Sequence, residues 1–331
     1  MMPSTATFGN RRAVWRDDEW IPQITHNIPI GFGPSGFMIE GTIQGTDCTG
    51  GKGPCTWPES ISEWRDNLDT QGNGETYLSF GFGDPLGLGS IVLDNSLESI
   101  PAAIRNAENP SEPLRGLQTG VHYAKAFGHD TSLRIGVDHL ITWSSTDYIY
   151  ADMTRSAYAV GSQRIRLRDN QTGNKFFSNI YITAGAGNGN YKPLEQTFID
   201  HTEKLKDVDC ATYDIVPKSP CSEERRKRAI RTGGDYGRIY PIGAVAIEIY
   251  NGLHSIWEWD GRNLNAGFSW RPFPELGLII TPMLNSLIKN CEYGGCLVEP
   301  YSGYGEKVEL PPQSTTERPR LSLTATLNIR F

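Results

Sequence analysis

The chain has 331 residues, of which 38% are hydrophobic, and its formal net charge is −7. This acidic balance argues against a nucleic-acid partner, which would require a basic surface. The sequence contains no run of about 18 apolar residues, which excludes a transmembrane helix. Composition still allows either a secreted β-sandwich or a membrane β-barrel, because only alternate strand residues of a barrel face lipid.

Residues 1–34 show neither the 2-residue nor the 3.6-residue period of regular structure. We therefore predict an irregular N-terminal lead-in over residues 1–34, placed against one end of the following domain. No apolar stretch of about 7–15 residues follows a basic start, so no secretory signal peptide is recognised. We expect the sequence to be the processed form of an exported protein.

From residue 35 onward, apolar and polar residues alternate in one segment after another. A period of two places successive side chains on opposite faces of a strand. We predict a single domain over residues 35–331 that contains about twelve such strands. The predicted strands cover residues 35–45, 75–83, 87–95, 115–127, 131–143, 155–168, 175–187, 240–250, 253–260, 262–271, 276–284 and 321–331.

The last of these strands is the most regular. Every odd position from Leu321 to Phe331 is apolar and every even position is polar. About ten tilted residues, at roughly 3.3 Å each, cross a hydrocarbon layer of about 25–30 Å. This ending resembles the C-terminal signature of Gram-negative outer-membrane β-barrels. The resemblance implies an outer-membrane location and recognition of Phe331 by the barrel-assembly machinery as an assembly signal. The last strand of a soluble sandwich is the alternative.

The lengths of the connections support the barrel. Long connections (about 46–74, 96–114, 144–154, 188–239 and 285–319) fall on one side of the predicted sheet. The short turns fall on the other side, except for Asp260-Gly261. Outer-membrane barrels have long outer loops and short periplasmic turns, whereas a sandwich has no reason to sort its connections in this way.

The six cysteines form three close pairs, all within predicted outer loops. Cys48 is close to Cys55, Cys210 is close to Cys221, and Cys291 is close to Cys296. Each pair brackets a Gly- or Pro-bearing loop, and we predict local disulfides formed in an oxidising compartment. Zinc is the competing interpretation, but only the last pair has a suitable spacing and no second such pair completes a site. We predict no metal and no cofactor.

Charged residues on the polar faces of the predicted strands would point into the lumen. They are Glu40, Arg134, Asp138, Arg164, Arg166, Glu248, Arg262, Arg271 and Arg330. Such residues can form a salt-bridge lattice that fills a narrow barrel, or they can line a selective pore. Twelve strands lie between filled eight-stranded barrels and open sixteen-stranded porins, so both interpretations stay open.

Two further features concern partners and catalysis. The outer loop 188–239 contains a basic cluster at residues 223–231, which is either a solvated surface or a site for lipopolysaccharide phosphates. Twelve-stranded barrels include an outer-membrane phospholipase with a His-x-Ser pair. Here Ile141 and Ile256 stand two residues after His139 and His254, where that pair would have a serine. We therefore predict that the chain is not an enzyme.

Two short sequence segments, residues 79–85 and 259–267, are similar to segments of uncharacterised barrel-like proteins of cyanobacteria. Taken together, the sequence predicts an all-β, roughly twelve-stranded antiparallel up-and-down transmembrane β-barrel in contact with outer-membrane lipid. The leading functional prediction is a passive pore for small polar solutes. The alternatives are a structural or surface-interaction barrel with a plugged lumen, and a soluble exported β-sandwich that binds carbohydrate or a partner. Its oligomeric state is not predicted.

Overall fold

The structure, a computed structural model, describes residues 14–16, 19–46, 73–97, 117–142, 155–167, 176–191, 239–261, 263–273, 275–288, 297–298, 308–309 and 319–331.

The predicted disulfides and the predicted phosphate site lie outside the described residues. This holds for both members of every cysteine pair, namely Cys48 and Cys55, Cys210 and Cys221, and Cys291 and Cys296. It also holds for the basic cluster at residues 223–231. The structure therefore does not support the three disulfides, and they and the phosphate site stay predictions.

The strands, in chain order, are β1 (Val14–Arg16), β2 (Glu19–Ile21), β3 (Gly36–Thr46), β4 (Asn73–Asp84), β5 (Gly89–Leu97), β6 (Leu117–Ala126), β7 (Thr131–Thr142), β8 (Ser156–Arg166), β9 (Asn179–Gly187), β10 (Tyr240–Tyr250), β11 (Leu253–Trp259), β12 (Leu264–Trp270), β13 (Gly277–Asn285), β14 (Leu297–Val298), β15 (Val308–Glu309) and β16 (Arg320–Arg330). A single turn of 3-10 helix follows β9 at Gly189–Tyr191. The described residues contain no helix with the length and apolarity that a membrane crossing needs.

Twelve of the described strands form one closed antiparallel barrel, and β1–β2 and β14–β15 form two small separate sheets. Each barrel strand pairs with the next along the chain, β13 pairs with β16, and β16 closes the barrel against β3. The predicted all-β, twelve-stranded antiparallel barrel is confirmed. Each of the twelve alternating segments overlaps one barrel strand.

The two ends of the barrel differ in the length of their connections. One end, here called the short-turn end, carries the turns that join β4 to β5, β6 to β7, β10 to β11 and β12 to β13, the twelve-residue connection from β8 to β9, and Phe331. The other, here called the long-loop end, carries five long connections and the short turn between β11 and β12. Short turns between antiparallel neighbours are what an up-and-down barrel requires.

The alternation of side chains separates an apolar exterior from a polar interior. In β16, Leu323 and Leu327 are 55% and 48% exposed, whereas Ser322, Thr324 and Thr326 are fully buried. The interior hydroxyl groups bond across strands, as between Thr42 and Thr326, whose oxygens are 3.0 Å apart. Around β16 and β3 the interior is therefore a packed, hydrogen-bonded space, whereas buried apolar clusters lie against β8 to β11 and β13.

A bulge interrupts the alternation of β7. Val121 of β6 pairs with Val137 of β7, but Thr119 pairs with Ile141, so two extra residues of β7 bulge opposite Gly120. His139 takes a positive φ of 56° there and is buried, at 6% exposed. Alternation over the predicted strand 131–143 would place His139 on the outer face with Leu133 and Ile135, but the bulge turns its side chain towards the other face.

Candidate functional site: a segment inside the barrel

Residues 20–34, here called the luminal segment, lie inside the barrel instead of against one end of it. Gln23, His26, Ile28 and Ile30 are completely buried. The segment contains three prolines, at positions 22, 29 and 34, and no Asp, Glu, Lys or Arg. Proline has no N–H for a strand ladder, and buried backbone groups still need partners. Side chains of the barrel wall must therefore supply many of the hydrogen bonds that a sheet would provide.

The luminal segment turns back at residues 26–28, here called its apex, and the backbone there is hydrogen-bonded to one carboxylate. Glu258 of β11, which is 1% exposed, accepts hydrogen bonds from the backbone N–H groups of His26 at 2.7 Å, Asn27 at 2.8 Å and Ile28 at 3.3 Å. One side chain thus satisfies three successive backbone donors of the segment. Glu258 lies near the long-loop end, so the segment reaches across the lumen from the opposite mouth.

The parts of the segment before and after the apex are here called the entering and the returning leg. Both are held near the short-turn end by arginines. Arg271, which follows β12, donates through Nη1 to the carbonyl oxygen of Trp20. Arg134 of β7 donates through Nη2 to the carbonyl oxygen of Phe32. The wall thus offers an acceptor to the N–H groups at the apex and donors to the carbonyl groups of the legs. Segment and wall are complementary in hydrogen bonding.

Uncharged polar groups hold one side of the entering leg. Gln23 N–H donates to Ser269 Oγ at 2.8 Å, and its side-chain amide donates to Thr326 Oγ1 at 3.2 Å. Near the apex, Asn27 Nδ2 donates to Asn285 Oδ1 at 3.1 Å. These partners come from β12, β13 and β16, so this part of the wall is lined by hydroxyl and amide groups.

Apolar side chains of the segment pack on the neighbouring part of the wall. Ile28 belongs to a buried cluster with residues of β8 and β10 and with Tyr191. Ile24, Ile30 and Phe32 pack with residues of β9, β10, β11 and β13. The segment therefore buries both polar and apolar side chains, and each kind contacts wall residues of matching chemistry.

The returning leg passes very close to the wall. A Cβ atom on Gly31 would lie 2.5 Å from Ser162 N and 2.8 Å from Ser132 O, distances that real Cβ atoms do not tolerate. Glycine is therefore required for this close approach. The backbone N–H of Gly31 also donates to Ser162 Oγ at 2.7 Å, which fixes the leg against β7 and β8.

A second polar cluster supports the apolar wall that receives Ile28. His122 Nε2 of β6 is 2.6 Å from Asp94 Oδ2, and His122 Nδ1 is 2.7 Å from the hydroxyl of Tyr158. Asp138, placed by the β7 bulge, accepts a hydrogen bond from Tyr191 at 2.9 Å. The rings of Tyr158 and Tyr191 meet edge to face at 6.0 Å. This network orients the two tyrosines that contact the segment.

The short-turn rim carries an ion cluster on Asp130. Arg164 Nε is 2.7 Å and Arg166 Nη2 is 3.2 Å from Asp130 Oδ1. Partial burial acts to raise the pKa of Asp130, but the hydrogen bonds and charges of Arg164 and Arg166 outweigh it and hold that pKa below its ordinary value. The cluster ties the β6–β7 turn to the end of β8.

The charged residues that the sequence assigns to the lumen fall into two groups in the structure, buried and exposed. Six of them are buried: Glu40, Arg134, Asp138, Arg164, Glu248 and Arg271. Arg166 and Arg330 are exposed at the short-turn end, and Arg262 lies outside the described residues. Arg134 and Arg271 touch the luminal segment, whereas Glu248 accepts a hydrogen bond from Asn179 of the wall. A pore-lining role for these residues stays a prediction.

Sequence reasoning missed Glu258, Asp94 and His122. Strand alternation could have found Glu258, because within the predicted strand 253–260 it lies between Trp257 and Trp259, two large apolar residues that would face outward. His122 similarly lies between Val121 and Tyr123. No local pattern indicates that the luminal segment lies inside the barrel.

No family model and no curated protein matches the chain. Among solved structures, the chain is similar to an active-site mutant of outer membrane phospholipase A from Escherichia coli. Sequence identity is 10%, the TM-score is 0.33, and the match covers 92% of this chain and 94% of that chain. The prediction that this chain is not an enzyme is corrected by this comparison, because that protein is an enzyme. A likeness at this TM-score assigns no activity to this chain.

Proposed function

We propose that this protein is an outer-membrane barrel whose lumen is closed by its own luminal segment, and that it acts at the membrane surface. The proposal depends on the hydrogen bonds that hold residues 20–34 in the lumen. Glu258 accepts them at the apex, and Arg271 and Arg134 donate them to the legs. An open passive pore for small polar solutes would require this segment to leave.

The distribution of side chains supports an outer-membrane location. Exposed apolar rows run along the barrel exterior, including Ile43, Leu323 and Trp257 at 63%, 55% and 52% exposed. A continuous apolar exterior around a polar interior is the arrangement of transmembrane barrels. Separation of inner and outer membranes, followed by detection of the protein in the inner-membrane fraction, would overturn this location.

Phe331 supports the proposed assembly signal. Its backbone N–H donates to Phe37 O at 3.0 Å, and its ring lies 5.5 Å from the ring of Phe37. Its side chain is still 72% exposed, which leaves it available to the assembly machinery. Replacement of Phe331 by Ala should reduce the amount of assembled barrel in the outer membrane. Unchanged assembly would argue against this role.

The five long connections provide the proposed interaction surface. Their basic cluster at residues 223–231 would bind lipopolysaccharide phosphates through charge-assisted hydrogen bonds. Purified barrel should bind lipopolysaccharide vesicles more weakly once Arg225, Arg226 and Arg228 are replaced by Gln. Equal binding by both proteins would remove this partner from the proposal.

Planar-bilayer recording tests the closed lumen. The intact protein should insert without a steady conductance, and a large, stable current from it would overturn the proposal. A variant that lacks residues 20–33 should conduct, provided that it still shows the heat-dependent electrophoretic mobility of a folded barrel. Absence of current in that variant would place the block elsewhere.

A regulated pore is the second candidate function. It is favoured by the hydroxyl and amide lining that would remain if the segment left, including Thr42, Thr324 and Asn328, which are at most 3% exposed. At these positions of β3 and β16 the wall carries neutral polar groups, which suit small neutral solutes. Swelling of proteoliposomes in sugar solutions distinguishes the two candidates. Vesicles that contain the intact protein should swell under some condition if it is a regulated pore, and under no condition if the lumen stays closed.

A further inference from the structure

Backbone donors of the luminal segment occupy both oxygens of the Glu258 carboxylate. Oε2 accepts hydrogen bonds from His26 N at 2.7 Å and Ile28 N at 3.3 Å, and Oε1 accepts one from Asn27 N at 2.8 Å. An ionised carboxylate only accepts hydrogen bonds, whereas a protonated one carries an O–H donor. A proton on either oxygen would therefore compete with a backbone N–H of the apex, and the contact would weaken.

The contacts that hold the two legs do not change in this way when the pH falls. Arg271 and Arg134 stay charged, and the backbone carbonyl oxygens to which they donate do not titrate. His254 Nδ1 lies 3.2 Å from the carbonyl oxygen of Gln23. Because a carbonyl only accepts, Nδ1 carries a proton there whether the ring is neutral or charged. Among these contacts, acid therefore acts on the apex.

The neighbouring strands place side chains that do not titrate beside Glu258. Ala244 of β10 and Asn265 of β12 are its partners in register, and Asn265 Nδ2 is 3.5 Å from Oε1. Asp260, at the end of β11, accepts hydrogen bonds from Asn263 N at 2.7 Å and Asn265 Nδ2 at 2.9 Å. Asp260 thus has donors of its own that do not belong to the segment.

Other ionisable side chains lie on the elements that pack around the apex. The ring of His26 is on the segment itself, with Nε2 at 3.1 Å from Ser322 Oγ of β16. Protonation of His26 would add a buried positive charge as Glu258 loses its negative one, so it would act in the same direction. Arg320 of β16 is buried and stays charged. His254 stands opposite Glu248 in register, nearer the short-turn end.

We propose that Glu258 is an acid-sensitive contact that keeps the lumen closed, and that its protonation releases the apex of the luminal segment. Both legs are attached near the short-turn end, so the released apex would move towards that mouth. A proton at this position distinguishes the two states, because it disfavours only the closed one. The inference rests on the proposed closed lumen, and it names acid as the condition under which a regulated pore would conduct.

Planar-bilayer recording of the full-length chain, with the pH lowered in steps from about 7.5 to about 4 and then restored, tests the proposal. The open probability of the wild type should rise about tenfold or more in acid and fall again when the pH is restored. Glu258→Gln carries an NH2 donor at every pH, so it should show current already at neutral pH and respond to acid by less than about twofold. Glu248→Gln, the matched control, should keep the wild-type response.

His26→Gln and His254→Gln remove the two nearby imidazoles and should also keep the acid response. Heat-dependent mobility at the lowest pH confirms that each barrel is folded. A wild type that stays closed at every pH, beside a conducting variant that lacks residues 20–33, would overturn the acid-sensitive contact and leave the closed lumen intact. A steady wild-type current at neutral pH would instead overturn the closed lumen, and this inference with it.

The assignment to Glu258 fails under three further outcomes. The acid response could survive in Glu258→Gln, it could be lost when either imidazole is removed, or it could persist after the pH is restored. The first two outcomes would place the acid-sensitive group elsewhere, and the third would show that acid damages the barrel and does not release the segment.

Discussion

The carboxylate of Glu258 and the backbone N–H of His26 are joined by a hydrogen bond of 2.7 Å between groups 232 residues apart in the chain. The same carboxylate accepts from Asn27 at 2.8 Å, so one side chain satisfies successive donors at the turning point of the luminal segment. Buried backbone donors without partners are costly. This contact is therefore the point at which the segment should be most sensitive to substitution.

Glu258→Gln should loosen the apex of the luminal segment. The amide keeps one acceptor oxygen but replaces the other by an NH2 donor that would face a backbone N–H, and a buried donor left without a partner costs about 1–3 kcal/mol. We expect a lower free energy of unfolding in urea and bursts of current in planar bilayers. Glu248→Gln is the matched control, since Glu248 is another buried luminal carboxylate and accepts a hydrogen bond from Asn179 of the wall. Bursts of equal size in the control would show that the apex contact is not responsible.

Gly31→Ala should displace the returning leg. The new methyl group would lie 2.5 Å from Ser162 N, which is backbone and cannot turn aside. We expect overpacking to cost about 1–3 kcal/mol and to increase protease cleavage within residues 20–34. Gly41→Ala is the control, because a Cβ atom there meets nothing within 4 Å. Equal protection of the two variants would contradict the close approach.

Tyr158→Phe should test the polar network beneath the apolar wall. The substitution keeps the ring that packs with Ile28 and removes the hydroxyl that lies 2.7 Å from His122 Nδ1. Loss of a buried hydrogen-bond partner costs about 1–3 kcal/mol, which urea unfolding followed by tryptophan fluorescence would detect. Tyr123→Phe removes an exposed hydroxyl that donates to Leu88 O and should cost less. The reverse order would show that the network adds little stability.

The barrel could be predicted from the sequence because its strands carry their own periodic signal. The row from Leu321 to Phe331 has the same two faces in the structure, and β10 matches its predicted bounds at both ends. The order of the strands follows from these signals together with the short turns, since strands that are neighbours along the chain usually pair with one another.

The luminal segment could not be predicted in the same way. Its three prolines prevent a ladder, so the segment has no period, and its position depends on contacts such as Gln23 with Thr326, which are 303 residues apart. His139 was misplaced for a different reason, because a bulge in β7 changes the facing of one residue without changing the alternating pattern around it.

The ion cluster at the short-turn rim predicts a pH dependence outside the membrane-spanning strands. Arg164 and Arg166 lower the pKa of Asp130 below its ordinary value of 3.8, although partial burial acts in the opposite direction. A carboxyl with a depressed folded-state pKa contributes stability above its unfolded-state pKa and loses it as the pH falls through the folded value.

Wild type should therefore be more stable to urea than Asp130→Asn at pH 7, and the difference should stay constant down to about pH 5 and shrink below about pH 4. The difference should be small, because the side chain of Asp130 is 37% exposed and exposed ion pairs are screened. Arg166→Gln should remove part of the difference and Arg164→Gln more of it, since Arg164 is the closer and more buried partner. A difference that persisted unchanged at about pH 3 would show that the ionised form of Asp130 is not what stabilises the rim.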